Sequence, residues 1–209
     1  MRVGVLALQG SFAEHIAILH GLGVDACEVR LPQHLDGLDG LIIPGGESTT
    51  IGKLAEHYNL IEPLRAFGRH KAIWGTCAGA IFLSKDARRS QPLLQLMDIS
   101  VERNAFGSQV ASFEADLEVP ALACIDASGR PYHAIFIRAP AIEALRGRAR
   151  SLAALPDKRT VAAQEGRWLA TSFHPELTQD DRFHRYFLSL AAADQESPCY
   201  APVLNDAWR

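Results

Sequence analysis

The feature that most narrows what this chain can fold into is an apolar run ending in a glycine-flanked cysteine. Lys71 to Trp74 reads as a short strand and opens directly into Gly75-Thr76-Cys77-Ala78-Gly79, followed by another apolar, helix-like stretch. Strand, sharp turn and helix make a nucleophile elbow, in which small neighbours avoid the clashes a Cβ would create at a strained turn. The same arrangement places Cys77 at a helix N-terminus, where peptide dipoles favour a thiolate over a thiol. A small buried cysteine in a glycine-rich turn has the same local pattern, so the segment alone does not separate the two readings.

The flanking chain repeats the strand-to-helix rhythm. Arg2 to Leu8 is a short apolar run of the kind found in a buried parallel strand. Ser11 and Glu14 then have the spacing of a capping box, with Phe12, Ile16 and Leu19 at helical intervals and Gly21 and Gly23 closing the segment. Strands are expected over Ala26 to Leu31 and Gly40 to Ile43, and helices over Thr50 to Tyr58 and Ile61 to Phe67. This order predicts an α/β fold, a mostly parallel central sheet with helices on both faces.

The second half adds short strands at Ile99 to Glu102, Gln109 to Phe113, Ala134 to Arg138, Ser151 to Leu155, Thr160 to Gln164 and Trp168 to Phe173. Glu165-Gly166-Arg167 is a hairpin turn between the last two, so additional antiparallel strands are expected there. Arg182 to Ala192 returns to a helix. Residues 1–192 read as a single domain, and 193–209 as a polar, proline-containing tail to which no element is assigned.

Composition excludes several classes of function. A formal charge of −3 supplies no basic field, which argues against nucleic acid or an anionic membrane as a main partner. No apolar stretch is long enough to span a bilayer. The four cysteines form no CxxC pair and have no histidine at metal-ligand spacing, so no metal is expected. The N-terminus runs straight into a strand without a secretory leader, which leads to an expectation of a reducing cytoplasm with free thiols.

A cysteine nucleophile needs a base, and of eight histidines His174 is the best placed. It follows the apolar strand ending at Phe173, Pro175 fixes the chain after it, and Glu176 can orient its ring and stabilise the imidazolium. His15, His20, His34, His57, His70 and His184 read as solvated or partly buried helix or surface residues. His133 falls at a strand start with no evident acidic partner.

Pro44-Gly45-Gly46-Glu47-Ser48-Thr49-Thr50 also ends an expected strand. It is not a phosphate loop, because five residues separate Gly46 from Gly52 and Leu54 replaces the metal-binding hydroxyl. Its exposed N–H groups around Gly46, with that of Ala78, suit an oxyanion hole. Loops at the carboxyl ends of neighbouring strands converge on one crevice in such a sheet.

Together, Gly75-Thr76-Cys77-Ala78-Gly79 and His174-Pro175-Glu176 resemble the triad-type (class I) glutamine amidotransferases, whose fold is flavodoxin-like. Pro44 to Thr50 (PGGESTT), Val101 to Gln109 (VERNAFGSQ), Phe136 to Pro140 (FIRAP) and Leu8-Gln9-Gly10 narrow the resemblance to the glutaminase subunits of pyridoxal 5′-phosphate synthase. That resemblance, from about Arg2 to Leu190, implies a catalytic triad of Cys77, His174 and Glu176 and no cofactor. It implies an oxyanion hole at Gly46 and Ala78, with Gly46, Glu47, Ser48, Arg103, Ile137 and Arg138 binding L-glutamine. It further implies that the partner is a (β/α)8 synthase subunit in a large hetero-oligomer, near Gln9 and the first helix. That synthase makes the vitamin B6 cofactor from ribose 5-phosphate and glyceraldehyde 3-phosphate. The glutaminase subunit of another biosynthetic amidotransferase complex is the alternative. Ser108 and Trp74 depart from the pattern, where a basic residue and a Phe or Tyr are commoner.

Overall fold

The computed structural model describes residues 1–103 and 112–192. β1 (Arg2–Leu6) leads into α1 (Phe12–Gly21) and β2 (Asp25–Val29). β3 (Gly40–Ile43) is followed by α2 (Ser48–His57) and α3 (Ile61–Gly68), and β4 (Ala72–Thr76) by the short α4 (Ala78–Leu83). β5 (Ser84–Asp86) and β6 (Met97–Glu102) precede β7 (Ser112–Leu117) and β8 (Tyr132–Ile137). The chain continues through β9 (Ala141–Leu145), β10 (Arg150–Ala154), β11 (Thr160–Glu165) and β12 (Trp168–Thr171) to α5 (Arg182–Ala192).

Strands β2, β1, β3, β4 and β12 lie side by side and parallel. Beyond β12 the sheet turns antiparallel through β11, β9 and β6, with β5 parallel on the far edge and β10 paired to β11. β7 and β8 form a separate two-stranded antiparallel sheet. The parallel half has the 2-1-3-4 order of doubly wound folds, which opens a crevice at the carboxyl ends of its strands. The loops after β1, β3, β4 and β12 all emerge there.

Alternation along the strands splits the core into two layers. Val3, Val5, Ile42 and Trp74 pack on one face with α5, whose Phe183, Phe187 and Leu190 recur at helical spacing. Leu6, Leu41, Ile43 and Ile73 face the other way, against Ile51, Leu64 and Phe82 of α2, α3 and α4. Each large side chain fully removed from water stabilises the fold by roughly 1.5–3 kcal/mol, so both faces of the sheet are secured.

Several expectations change. β5 and β9 were not anticipated. The strand expected from Gln109 begins outside the described residues, as do Ser108 and most of VERNAFGSQ, while its last two positions open β7. Cys27 and Cys77 are free thiols, but Cys124 is disulfide-bonded, contrary to the expectation of free thiols throughout. Cys124 lies at the exposed end of a short 3-10 helix. Among the described residues no helix is long and apolar enough to cross a membrane.

Candidate active site

β4 ends and α4 begins on Cys77, which adopts φ 47°, ψ −106°. Such a left-handed conformation costs an L-residue on the order of 1–3 kcal/mol and persists only when its surroundings hold it. Here the Cys77 N–H donates to Thr171 O at 2.8 Å, tying the elbow to β12. A Cβ on Gly79 would lie 2.0 Å from the carbonyl oxygen of Ile43, so only glycine lets the elbow seat against β3. α4 has six residues, less than two turns, so the nearest strong field on Cys77 is His174.

His174 follows β12 and donates its backbone N–H to Ile135 O at 2.8 Å, which anchors it to β8. Its Nδ1 donates to Glu176 Oε1 at 2.7 Å, and Cys77 adjoins the ring. Burial opposes a charge on this imidazole, but the adjoining Cys77 and Glu176 outweigh it and raise its pKa to about 10. Burial likewise resists a Glu176 anion, yet the His174 bond and charge, with the Ser11 bond, lower its pKa. Cys77, His174 and Glu176 therefore form one buried, coupled chain.

The loop after β3 closes over this chain. Gly45 passes so near His174 that a Cβ there would sit 2.6 Å from the ring carbon Cε1. The Gly45 carbonyl accepts from Ser11 N–H at 3.1 Å, and Glu47 N–H donates to Gln9 Oε1 at 2.7 Å, so the loop after β1 holds the loop after β3. Ala78 contributes one of the first N–H groups of α4, which a helix leaves unpaired. Glu47 caps α2 by accepting from Thr50 N–H at 2.7 Å and pairs with Arg103 Nη1 at 2.7 Å. Burial works against its anion, but the Thr50 and Thr49 bonds and the Arg103 charge lower its pKa to about 2.

All ten residues singled out from the sequence line one cleft of about 450 Å³: Gly46, Glu47, Ser48, Cys77, Ala78, Arg103, Ile137, Arg138, His174 and Glu176. Arg138 is held at φ 45°, immediately after β8. Gln9, Ser11 and Leu177 also line the cleft.

Three assignments are corrected. Ser11 stands at the N-cap of α1 but makes no side-chain cap; its hydroxyl donates instead to Glu176 Oε1 at 2.6 Å. This charge-assisted donation is stronger than the neutral bond its oxygen would accept from a backbone N–H as a cap. His15 and His184 are fully buried rather than solvated or partly buried, with His15 Nδ1 3.0 Å from His184 Nε2. His133 does have acidic partners, since register places Asp116 opposite it and Glu114 beside it, each 2.9 Å away. Those carboxylates raise its pKa.

The buried histidine pair carries a pH dependence. Desolvation lowers His15 to about 4 and His184 well below its ordinary value. Between pH 6.5 and 4 the unfolded chain binds protons that these rings refuse, so stability falls as pH falls through that window. His15 alone should cost about 2 kcal/mol between pH 6.5 and 5, from about 1.4 kcal/mol per unit. Urea midpoints at pH 7 and pH 5 measure this, and equal midpoints would contradict it.

The model of the SNO glutamine amidotransferase family matches residues 5–192. A relative from Roseiflexus castenholzii named pyridoxal 5′-phosphate synthase subunit PdxT is 55% identical over 194 residues, covering 91% of this chain and 100% of its own. The protein of the same name from Moorella thermoacetica is 53% identical over 192 residues, covering 91% and 99%. A solved glutamine amidotransferase is 50% identical with a TM-score of 0.84, covering 91% of this chain and 99% of that one. A chain of the PurLQS structure from Thermotoga maritima shares the fold at 18% identity and a TM-score of 0.64, covering 90% and 97%.

Proposed function

The chain belongs to the SNO glutamine amidotransferase family, and from that premise we propose that it is a glutaminase subunit of pyridoxal 5′-phosphate synthase with Cys77 as nucleophile. The observation that carries the mechanism is the continuous Cys77–His174–Glu176 chain at the foot of the cleft. His174, oriented by Glu176, takes the Cys77 proton. The Cys77 sulfur attacks the side-chain amide carbon of L-glutamine, and the carbonyl electrons move to an oxyanion facing the Gly46 and Ala78 N–H groups. His174 gives its proton to the amide nitrogen, the C–N bond breaks, and ammonia leaves a γ-glutamyl thioester on Cys77. Water then attacks the thioester while His174 takes its proton, the C–S bond breaks to release glutamate, and His174 returns the proton to the Cys77 sulfur.

The zwitterionic end of glutamine needs one group of each charge. Glu47 and Arg103, paired at 2.7 Å at the cleft wall, supply an acceptor for its ammonium and a donor for its carboxylate, and Arg138 also lines the cleft. Ser48 and Ile137 complete the wall. No metal or organic cofactor enters the scheme. The ammonia passes to a (β/α)8 synthase subunit in a hetero-oligomer, at the face carrying Gln9 and α1, in the cytoplasm.

Glutamate release from glutamine, measured with and without that synthase, tests the assignment. Weak turnover alone and a marked rise on mixing are expected, because the loop at Gly45 and Gly46 adapts on docking. Turnover that ignores the synthase but responds to the synthase of another amidotransferase pathway would overturn the assignment to pyridoxal 5′-phosphate synthesis.

A further inference from the structure

We propose that His15 is a positioning residue for the triad, donating from Nε2 to Glu176 Oε2, and that His184 fixes the tautomer that makes this donation possible. The inference rests on the Cys77–His174–Glu176 reading. Glu176 Oε1 already accepts from His174 Nδ1 at 2.7 Å and Ser11 Oγ at 2.6 Å. Its other oxygen, Oε2, is buried, is matched by no other donor among the described residues, and faces His15 Nε2 at 3.4 Å. An unmatched buried carboxylate oxygen is costly, and His15 Nε2 is the nearest donor it is given. Thr76 Oγ1 lies 3.5 Å from the same nitrogen.

Proton counting sets the direction of the string. Both imidazoles are neutral at pH 7, because burial lowers them, so each carries a single N–H. The groups facing the pair are Glu176 and His174 after β12 and Glu14 on α1. Among the described residues His184 Nδ1 has no partner, so a proton there would be a buried donor without an acceptor. Its proton therefore sits on Nε2 and is given to His15 Nδ1, 3.0 Å away. His15 must then carry its own proton on Nε2, directed at Glu176. The opposite arrangement would aim a lone pair at an anionic oxygen and orphan the His184 proton.

A neutral His15 acts on Glu176 as a dipole and not as a cation. Ser11 and His15 lie one turn apart on the α1 face, so the helix holds the two carboxylate oxygens separately, one from each residue. Trp74 walls the histidine pair with edge-on contacts at 5.7 Å to His15 and 5.0 Å to His184. Glu176 consequently cannot turn away from His174 without abandoning α1.

The first test is nitrogen-15 NMR of the wild-type histidines at pH 7. Both His15 and His184 are expected as neutral Nε2–H tautomers, and an Nδ1–H form of His15 would overturn the proposal whatever the variants do. The second is synthase-stimulated glutaminase kinetics. His15→Leu should lower kcat by about tenfold or more with KM within about twofold, since misplaced catalytic groups slow chemistry rather than binding. Its acid limb should move up by about one pH unit, because Glu176 loses a donor to its charged form. His15→Gln, whose amide can donate to Glu176 and accept from His184, should restore most of the rate and the wild-type limb. Wild-type kcat and limb in His15→Leu would overturn the proposal and leave the triad standing. A wild type that hydrolyses no glutamine would instead overturn the triad reading itself.

Discussion

Cys77→Ala and Cys77→Gly are both expected to release no glutamate from glutamine above the uncatalysed background, with or without the synthase. In the proposed scheme the thioester needs a sulfur at this position; among the described residues Cys77 is the one cysteine lining the cleft, and its serines, Ser11 and Ser48, are hydrogen-bonded to Glu176 and Gln91. The two variants should differ in stability in the direction opposite to the usual one. Elsewhere in a helix or strand alanine exceeds glycine by roughly 0.5–1 kcal/mol, because glycine loses more backbone freedom on folding. At φ 47°, ψ −106° the alanine Cβ retains the strain of the elbow while glycine relieves it, an effect of about 1–3 kcal/mol. Cys77→Gly should therefore melt above Cys77→Ala in calorimetry. Residual turnover in either variant would remove Cys77 from the mechanism, and an alanine variant melting higher would remove the strain.

What the sequence disclosed was what local rules can see. β3 and α5 stand where expected, because continuous apolar runs and helical spacing follow from burial on two faces or one. The triad and the Gly46 loop were legible because they follow β3, β4 and β12 of the parallel half, and topology brings such ends together. Arg103 and Arg138, by contrast, follow β6 and β8 and came only with the family resemblance. β9 was missed because Ala141–Leu145 has no strand alternation of its own and is held by its neighbours β6 and β11. Ser11 was misread because its acceptor, Glu176, lies 165 positions away, beyond any capping rule. The buried histidines had a usable signal: His15 falls between Phe12 and Leu19 on the apolar face of α1, and His184 three residues before Phe187. Charged neighbours at Glu14 and Arg185 obscured it. The acidic partners of His133 needed the β7–β8 register, which pattern alone does not supply.

Gly45→Ala should lower kcat by about a hundredfold while the fold survives, since a displacement near 1 Å at reacting groups costs about that much. The position has no left-handed backbone requirement, so the effect is purely one of space. The added Cβ would stand 2.6 Å from His174 Cε1 and 3.0 Å from Nδ1. The ring cannot retreat, because Nδ1 is bonded to Glu176 at 2.7 Å and Glu176 is held by Ser11. If the ring yields, the orienting bond is lost; if the loop lifts, the Gly46 N–H leaves the oxyanion. Both routes strike the chemical step, so KM for glutamine should change far less than kcat. Gly21→Ala, where an added Cβ meets nothing within 4 Å, is the control and should leave kcat unchanged. A Gly45→Ala enzyme within threefold of wild type would show that the close approach of Gly45 to His174 is not needed for turnover.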